Sequence, residues 1–330
     1  MTIPLEMRGA CAALTCAFAV AAGSGAIAQE RISGVEIISG SPTGGWFPVA
    51  SMLAERVNEN YAGQPTSVVP GAGGVGNPLR VGTGQSDIGI SYGPFLMLAR
   101  EGSNDLYQEA FPELRAISGM TANALHIVGV GDMAFDTIAA ETPSLAVATG
   151  PTGSTELFTL SEVFSVYDLS FDDIEEWGGS VQLLNTSGRA DGWSNRQFDM
   201  VNFFINPPAA QVVQLMSARP NSRIMSLSEA ATDTLVERWG MLPVTIPAGT
   251  YPNQDEDVLT VGMPYVYFAT TELDDDYVYN FTKAVAENHE RLISTHASFE
   301  EWNPETMAEG LGIPLHAGAE RYYRERGWID

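Results

Sequence analysis

The chain has 330 residues, 45% of them hydrophobic, which is material for one large or two medium cores. Its 41 acidic residues face 16 basic ones, a formal charge of −25, and Lys283 is the single lysine. That balance excludes a nucleic-acid ligand, because phosphate backbones need a basic face.

Residues 1–28 read as a secretory signal. Arg8 precedes an apolar run over 10–22, and Ala26-Ile27-Ala28 has the small-x-small form of a cleavage site. The run is too short to be read as a membrane span. Cys11 and Cys16 both lie in it, so the mature chain is expected to lack disulfides, thiol nucleophiles and thiolate metal sites. No later run is long and apolar enough to span a bilayer, and a soluble, periplasmic protein is expected.

Residues 37–58 read as a short strand, a loop of small residues and an amphipathic helix. Trp46, Val49, Ala50, Leu53 and Val57 recur at helical spacing, with Ser51, Glu55, Arg56 and Asn58 on the other side. Pro48 is harmless only in a first turn, which sets the cap near Gly45. Ser41, Pro42, Thr43 and Gly44 then place hydroxyls and bare amides before the helix's positive end, where an anion is favoured.

Strands follow at 66–70 and 87–91, separated by a glycine loop over 71–77 and a helix from Pro78 to Val81. Tyr92-Gly93-Pro94 turns into a helix over 95–100, and 125–130 reads as a fourth strand suited to crossing between lobes. A second set opens with a strand at 145–149 and a helix over 155–166, with Leu157, Leu160 and Phe164 inward. The loop between them, GPTGS at 150–154, echoes SPTGG at 41–45. Strands at 181–184 and 200–205, a helix over 209–218 and an extended run at 258–269 come next. Helices over 274–294 and 318–326, with a short one after Pro304, close the chain. Alternating strands and helices imply α/β lobes with mostly parallel sheets, whose ligands bind beyond the carboxyl ends of the strands. Two lobes joined by extended crossings set the two PTG loops on facing walls of a cleft.

Several motifs invite other readings. Gly71-Ala72-Gly73-Gly74-Val75-Gly76 matches G-x-G-x-x-G, but no acidic residue follows at the spacing that holds a ribose, and Pro78 interrupts the helix start. Gly89-Ile90-Ser91-Tyr92-Gly93 is a G-x-S-x-G in strand-to-helix context, so a serine hydrolase using Ser91 is the alternative. Such an enzyme needs a histidine on a loop after a strand, and His126, His289, His296 and His316 are not so placed. No zinc or phosphate-loop motif is present. Asp255-Glu256-Asp257 and Asp274-Asp275-Asp276 fit a solvated turn and a helix start better than a cation site. Trp177, Trp193, Tyr251 and Tyr265 read as core or lobe-contact aromatics.

With these residues in view, the chain resembles the TAXI family, the exported solute receptors of one class of TRAP transporters. The resemblance rests on SGSPTGGWFPVASMLAERVN at 39–58, PGAGGVGNPLRVGTGQSDIGISY at 70–92 and ATGPTGSTEL at 148–157. IPAGTYPNQDEDV at 246–258 and PLHAGAERYYRERG at 314–327 are the most distinctive stretches. It implies a two-lobed, type II periplasmic-binding-protein fold, an α/β architecture with a cleft between lobes. Lobe one would comprise 29–130 and 262–330, and lobe two 131–261. It further implies a non-enzymatic, monomeric receptor without cofactor or metal. That receptor captures a glutamate-like or dicarboxylate anion and delivers it to TRAP membrane subunits; a sensory module of the same fold is a further alternative.

Carried over by position, the ligand residues are Ser41, Thr43, Gly44, Gly45 and Trp46, then Gly73, Gly74 and Asn77, then Ser91 and Tyr92. In the second lobe they are Thr149, Gly153, Ser154, Thr155 and Glu156. Arg189 and Asn206 match less closely, because WSNRQFDMVNFFINPP at 193–208 departs from the pattern. With basic residues scarce, amides and hydroxyls are expected to hold a carboxylate, with Arg189 as guanidinium partner.

Overall fold

Strand β1 (Val35–Ile38) enters the small-residue loop and then helix α1 (Trp46–Asn60). Trp46, Val49, Ala50, Leu53 and Val57 are buried as their spacing predicts, and Pro48 sits in the first turn. Residues 34–60, 65–138 and 144–330 are described by the computed structural model; the expected secretory signal lies outside them.

Strands β2 (Thr66–Val69) and β3 (Ile88–Tyr92) flank β1 in parallel, each followed by a short helix, α2 (Asn77–Gly82) and α3 (Gly93–Glu101). The next strand, β4 (Leu114–Val130), is 17 residues long, far longer than the 125–130 expected from sequence. Its first part, rich in small residues, shows no alternation because it is covered on both faces. A Cβ at Gly119 would come within 3.1 Å of Leu311, and the Gly119 amide donates to the Met307 carbonyl at 2.7 Å.

A second parallel set follows: β5 (Ala146–Thr149), β6 (Ser180–Leu183) and β7 (Met200–Ile205), with β5 between the other two. Helices α4 (Thr155–Val166), α5 (Phe171–Glu176), α6 (Thr186–Ser194) and α7 (Ala210–Ala218) connect and cover them. In α4 the inward residues are Phe158, Leu160, Val163 and Phe164, whereas Leu157 is only half-buried, a correction to the sequence reading. Strand β8 (Ser222–Ile224), helix α8 (Glu229–Trp239) and strand β9 (Leu242–Ile246) precede the second long strand, β10 (Val258–Thr270).

The sheet order is β2-β1-β3-β10-β4-β7-β5-β6, with β8 added to β4 and β9 to β10. The named antiparallel pairings all involve β4 or β10. The end of β10, Tyr265 to Ala269, lies against β3, while its start, Val258 to Gly262, lies against β9. Likewise β4 pairs with β10 through its first part and with β7 from Ala124 to Gly129. Two extended strands therefore link two parallel sets, and the result is the two-lobed α/β architecture.

The chain closes with α9 (Asp275–Glu287), α10 (His289–Thr295) and α11 (Ala317–Arg326). The single helix expected over 274–294 is broken at Asn288, whose Nδ2 donates to the Ala284 carbonyl at 2.8 Å, a side-chain bond that competes with the helical ladder. Asp274 caps α9 by accepting from the Tyr277 amide at 2.8 Å, which explains the acidic triplet there. Among the described residues no helix is long and apolar enough to cross a membrane.

Candidate ligand-binding cleft

The carboxyl ends of β1, β2, β3, β5, β6 and β7 all lead into one cavity of about 240 Å³. From β1 come Gly40, Ser41, Pro42, Gly44, Gly45 and Trp46; from β2, Pro70 to Gly73; from β3, Tyr92. The second set supplies Pro151, Ser154, Thr155 and Glu156 after β5, Asn185, Thr186 and Arg189 after β6, and Phe203 to Asn206 on β7. This is where loops of an open α/β sheet converge.

Aromatic rings form much of the wall. Trp46 lies 5.3 Å from Tyr92 and 5.5 Å from Tyr265, and Tyr92 meets Phe204 edge-on at 5.3 Å, all centroid to centroid. The Tyr92 hydroxyl accepts from Asn123 Nδ2 at 2.8 Å. Burial pushes this phenol well above its usual value; the negative charge of Glu156 adds to the effect and the Asn123 bond opposes it.

Among the described residues, hydrogen bonds join the two sides of the cavity. The Gly76 amide donates to the Gly153 carbonyl at 2.9 Å, and the Gly74 amide to Thr155 Oγ1 at 3.1 Å. Gln211 Nε2 donates to the Thr43 carbonyl at 2.6 Å. Gly74 must be glycine here: a Cβ would stand 2.6 Å from the Tyr92 ring and 2.8 Å from Thr155 Oγ1.

Eleven of the residues expected from sequence line the cavity: Ser41, Gly44, Gly45, Trp46, Gly73, Tyr92, Ser154, Thr155, Glu156, Arg189 and Asn206. Six do not, and their hydrogen bonds or burial say why. Asn77 is fully buried, and its Nδ2 ties the Ser39 and Ile90 carbonyls, each at 2.8 Å, clamping the ends of β1 and β3. Ser91 is fully buried and donates to the Gly74 carbonyl at 2.5 Å, instead of offering a hydroxyl to a ligand. Gly74 and Gly153 hold the contact between the loops, and Thr43 points its hydroxyl at Ser41 Oγ, 3.1 Å away, on the exposed rim. Thr149 is fully buried at the end of β5.

Arg189 is 1% exposed, and its fork is already engaged. Nη1 donates to the Asn202 carbonyl and Nη2 to Glu156 Oε1, both at 2.9 Å, with the guanidinium 4.4 Å above the Phe203 ring. The free guanidinium expected from sequence is thus replaced by an internal ion pair. Ser154 caps α4 by accepting from the Leu157 amide at 3.1 Å. Asn185 does the same for α6 with the Gly188 amide at 2.8 Å, a helix-start signal that marks this wall in the sequence. Asn123 carries no such signal, because it lies in the stretch of β4 that local pattern does not reveal.

The histidines serve elsewhere. His126 Nδ1 donates to the Ala124 carbonyl at 3.0 Å and Nε2 accepts from the Tyr251 hydroxyl at 2.8 Å. His289 meets the Phe299 carbonyl, His296 meets Ser298, and His316 caps α11. Among the described residues no group of three or more His, Cys, Asp or Glu side chains is arranged to hold a metal ion.

Comparison with solved structures places this architecture among periplasmic binding proteins. MatC from Rhodopseudomonas palustris, solved with bound malate, superposes with a TM-score of 0.54 at 12% identity, covering 90% of this chain and 98% of that one. The periplasmic binding protein BugD gives a TM-score of 0.52 at 14% identity, covering 89% and 94%. At such identities the likeness is one of fold. The sequence itself matches the model of the NMT1-like family over residues 37–327, and the chain belongs to that family.

Proposed function

We propose that the protein is a TAXI-type solute receptor of the periplasm. It captures a small organic anion in this cleft and hands it to the membrane subunits of a TRAP-type transporter. The observation that carries the reading is the cavity itself, enclosed by loops from both parallel sets and bridged by hydrogen bonds between them. Its volume of about 240 Å³ lies below the ~300–1,000 Å³ of drug-sized ligand pockets, a size for a small metabolite. Glycine-rich loops with hydroxyls supply donors on both walls, and aromatic rings supply an apolar surface. The TAXI resemblance points to glutamate-like or dicarboxylate ligands, and the malate bound to MatC points the same way.

The lobes in this reading are 29–130 with 262–330, and 131–261, hinged where β4 and β10 cross. Catalysis is not part of it: Ser91 is turned into the loop and no histidine is bonded to it. Mass spectrometry of small molecules that copurify, followed by a thermal-shift screen of carboxylates, tests the proposal. A true ligand at 100 times its dissociation constant stabilises the protein by about 2.7 kcal/mol. If no organic acid raises the melting temperature and none copurifies, the proposal fails.

A further inference from the structure

Among the described residues that line the cavity two are charged, Glu156 and Arg189, and they pair with each other. The pair leaves the wall formally neutral, and it leaves the two partners unequal. Arg189 has both terminal nitrogens bonded inside the protein, to Asn202 and Glu156, and its charge is paired with Glu156, while its Nε is buried without a partner among the described residues. Glu156 uses one carboxylate oxygen; among the described residues the other takes no partner, and the side chain is 20% exposed. Its backbone is also fixed, since Asn202 Nδ2 donates to the Glu156 carbonyl at 2.8 Å. The first turn of α4 favours an acidic residue in general. A fully buried arginine and an asparagine clamp do more, holding the carboxylate at the cavity wall. Its field extends to Tyr92, on a strand of the other parallel set.

A free carboxylate oxygen is an acceptor that repels another carboxylate and attracts a donor. The rest of the wall carries no formal charge among the described residues: rings of Trp46, Tyr92, Phe203 and Phe204 beside glycines, hydroxyls and amides. We propose that the cleft selects small organic acids with at most a single net negative charge, which present an ammonium or hydroxyl donor to Glu156. Simple dicarboxylates are selected against, because their second carboxylate meets Glu156 with no unpaired cation among the described lining residues to offset it. The proposal rests on the reading of the cleft as an organic-acid site and narrows it, setting aside the simple dicarboxylates in favour of acids that carry a donor.

Isothermal titration of the purified protein at fixed ionic strength, with acids matched in length, tests it. Succinate is compared with 4-hydroxybutanoate and 4-aminobutanoate, and glutarate with 5-hydroxypentanoate and 5-aminopentanoate, on wild type and on Glu156→Gln. The expected result is that a donor-bearing acid binds wild type at least tenfold more tightly than its dicarboxylate partner. In Glu156→Gln that ratio falls at least tenfold, because the repulsion is gone and Arg189 is released. Dicarboxylates binding wild type as tightly as the donor-bearing acids would overturn the proposal and leave the receptor reading standing. So would an unchanged ratio in a folded Glu156→Gln. Absence of binding by every acid in the panel overturns both. If the variant does not fold, the wild-type ratios decide alone.

Discussion

Replacing Ser91 by alanine separates a receptor from a hydrolase, and the structure gives the size of the effect. The Ser91 hydroxyl is fully buried and donates to the Gly74 carbonyl at 2.5 Å, in the loop whose Gly74 amide reaches Thr155. Deleting it removes one hydrogen bond, with a net worth of about 0.5–1.5 kcal/mol, and leaves a carbonyl to be satisfied at a cost of about 1–3 kcal/mol. We therefore expect Ser91→Ala to lose about 1–2 kcal/mol of unfolding free energy, measured by urea denaturation. For a chain of this size that is a fall of a few degrees in melting temperature. Ligand affinity should change little, because the hydroxyl does not line the cavity. A fluorophosphonate probe should label neither protein, since a serine nucleophile needs a base within hydrogen-bond reach. Stoichiometric labelling of the wild type that vanishes in Ser91→Ala would refute this reasoning, as would a variant of unaltered stability.

Other perturbations follow from the same contacts. Ser154→Ala removes the cap of α4 and should cost about 0.5–2 kcal/mol of stability; an unmoved urea midpoint would contradict the assignment. Burial pulls the His126 imidazole from its ordinary 6.5 down to about 4, with the Ala124 carbonyl bond partly opposing. The neutral ring's contribution is full above pH 6.5 and is lost as pH falls through 4, a drop of roughly 3 kcal/mol. The difference in stability between wild type and His126→Gln should change over that window, and parallel profiles would disprove it. Saturating ligand should reduce the radius of gyration by small-angle scattering, because the walls belong to two parallel sets linked by β4 and β10. An unchanged radius would argue for a rigid pocket; Gln211→Ala should weaken binding by about 0.5–1.5 kcal/mol through loss of the bridge to Thr43, and an unchanged dissociation constant by titration calorimetry would contradict it.

Local sequence alone determined the elements whose cause is local. The spacing of Trp46, Val49, Leu53 and Val57 gives α1, and the run MVNFFI gives β7, buried throughout. The repeated SPTGG and GPTGS loops place two donor-rich turns at strand ends, and both turns supply lining residues of the cavity. What the sequence left undecided was where each polar group finds its partner. Asn77 and Ser91 look like ligand groups in a list of residues, yet they bond to chain segments far away or across a loop, and Thr149 is buried with its hydroxyl unpartnered among the described residues. The first half of β4 was illegible because burial on both faces removes the alternation by which a strand is recognised. Arg189 shows the limit most sharply. Its identity advertises an anion receptor, but Glu156, 33 residues earlier, reaches it first, and only the packing of α4 and α6 on β7 brings the two within 2.9 Å. Side-chain type is written locally, whereas the surroundings that give a charge its free or paired state are assembled by the whole chain.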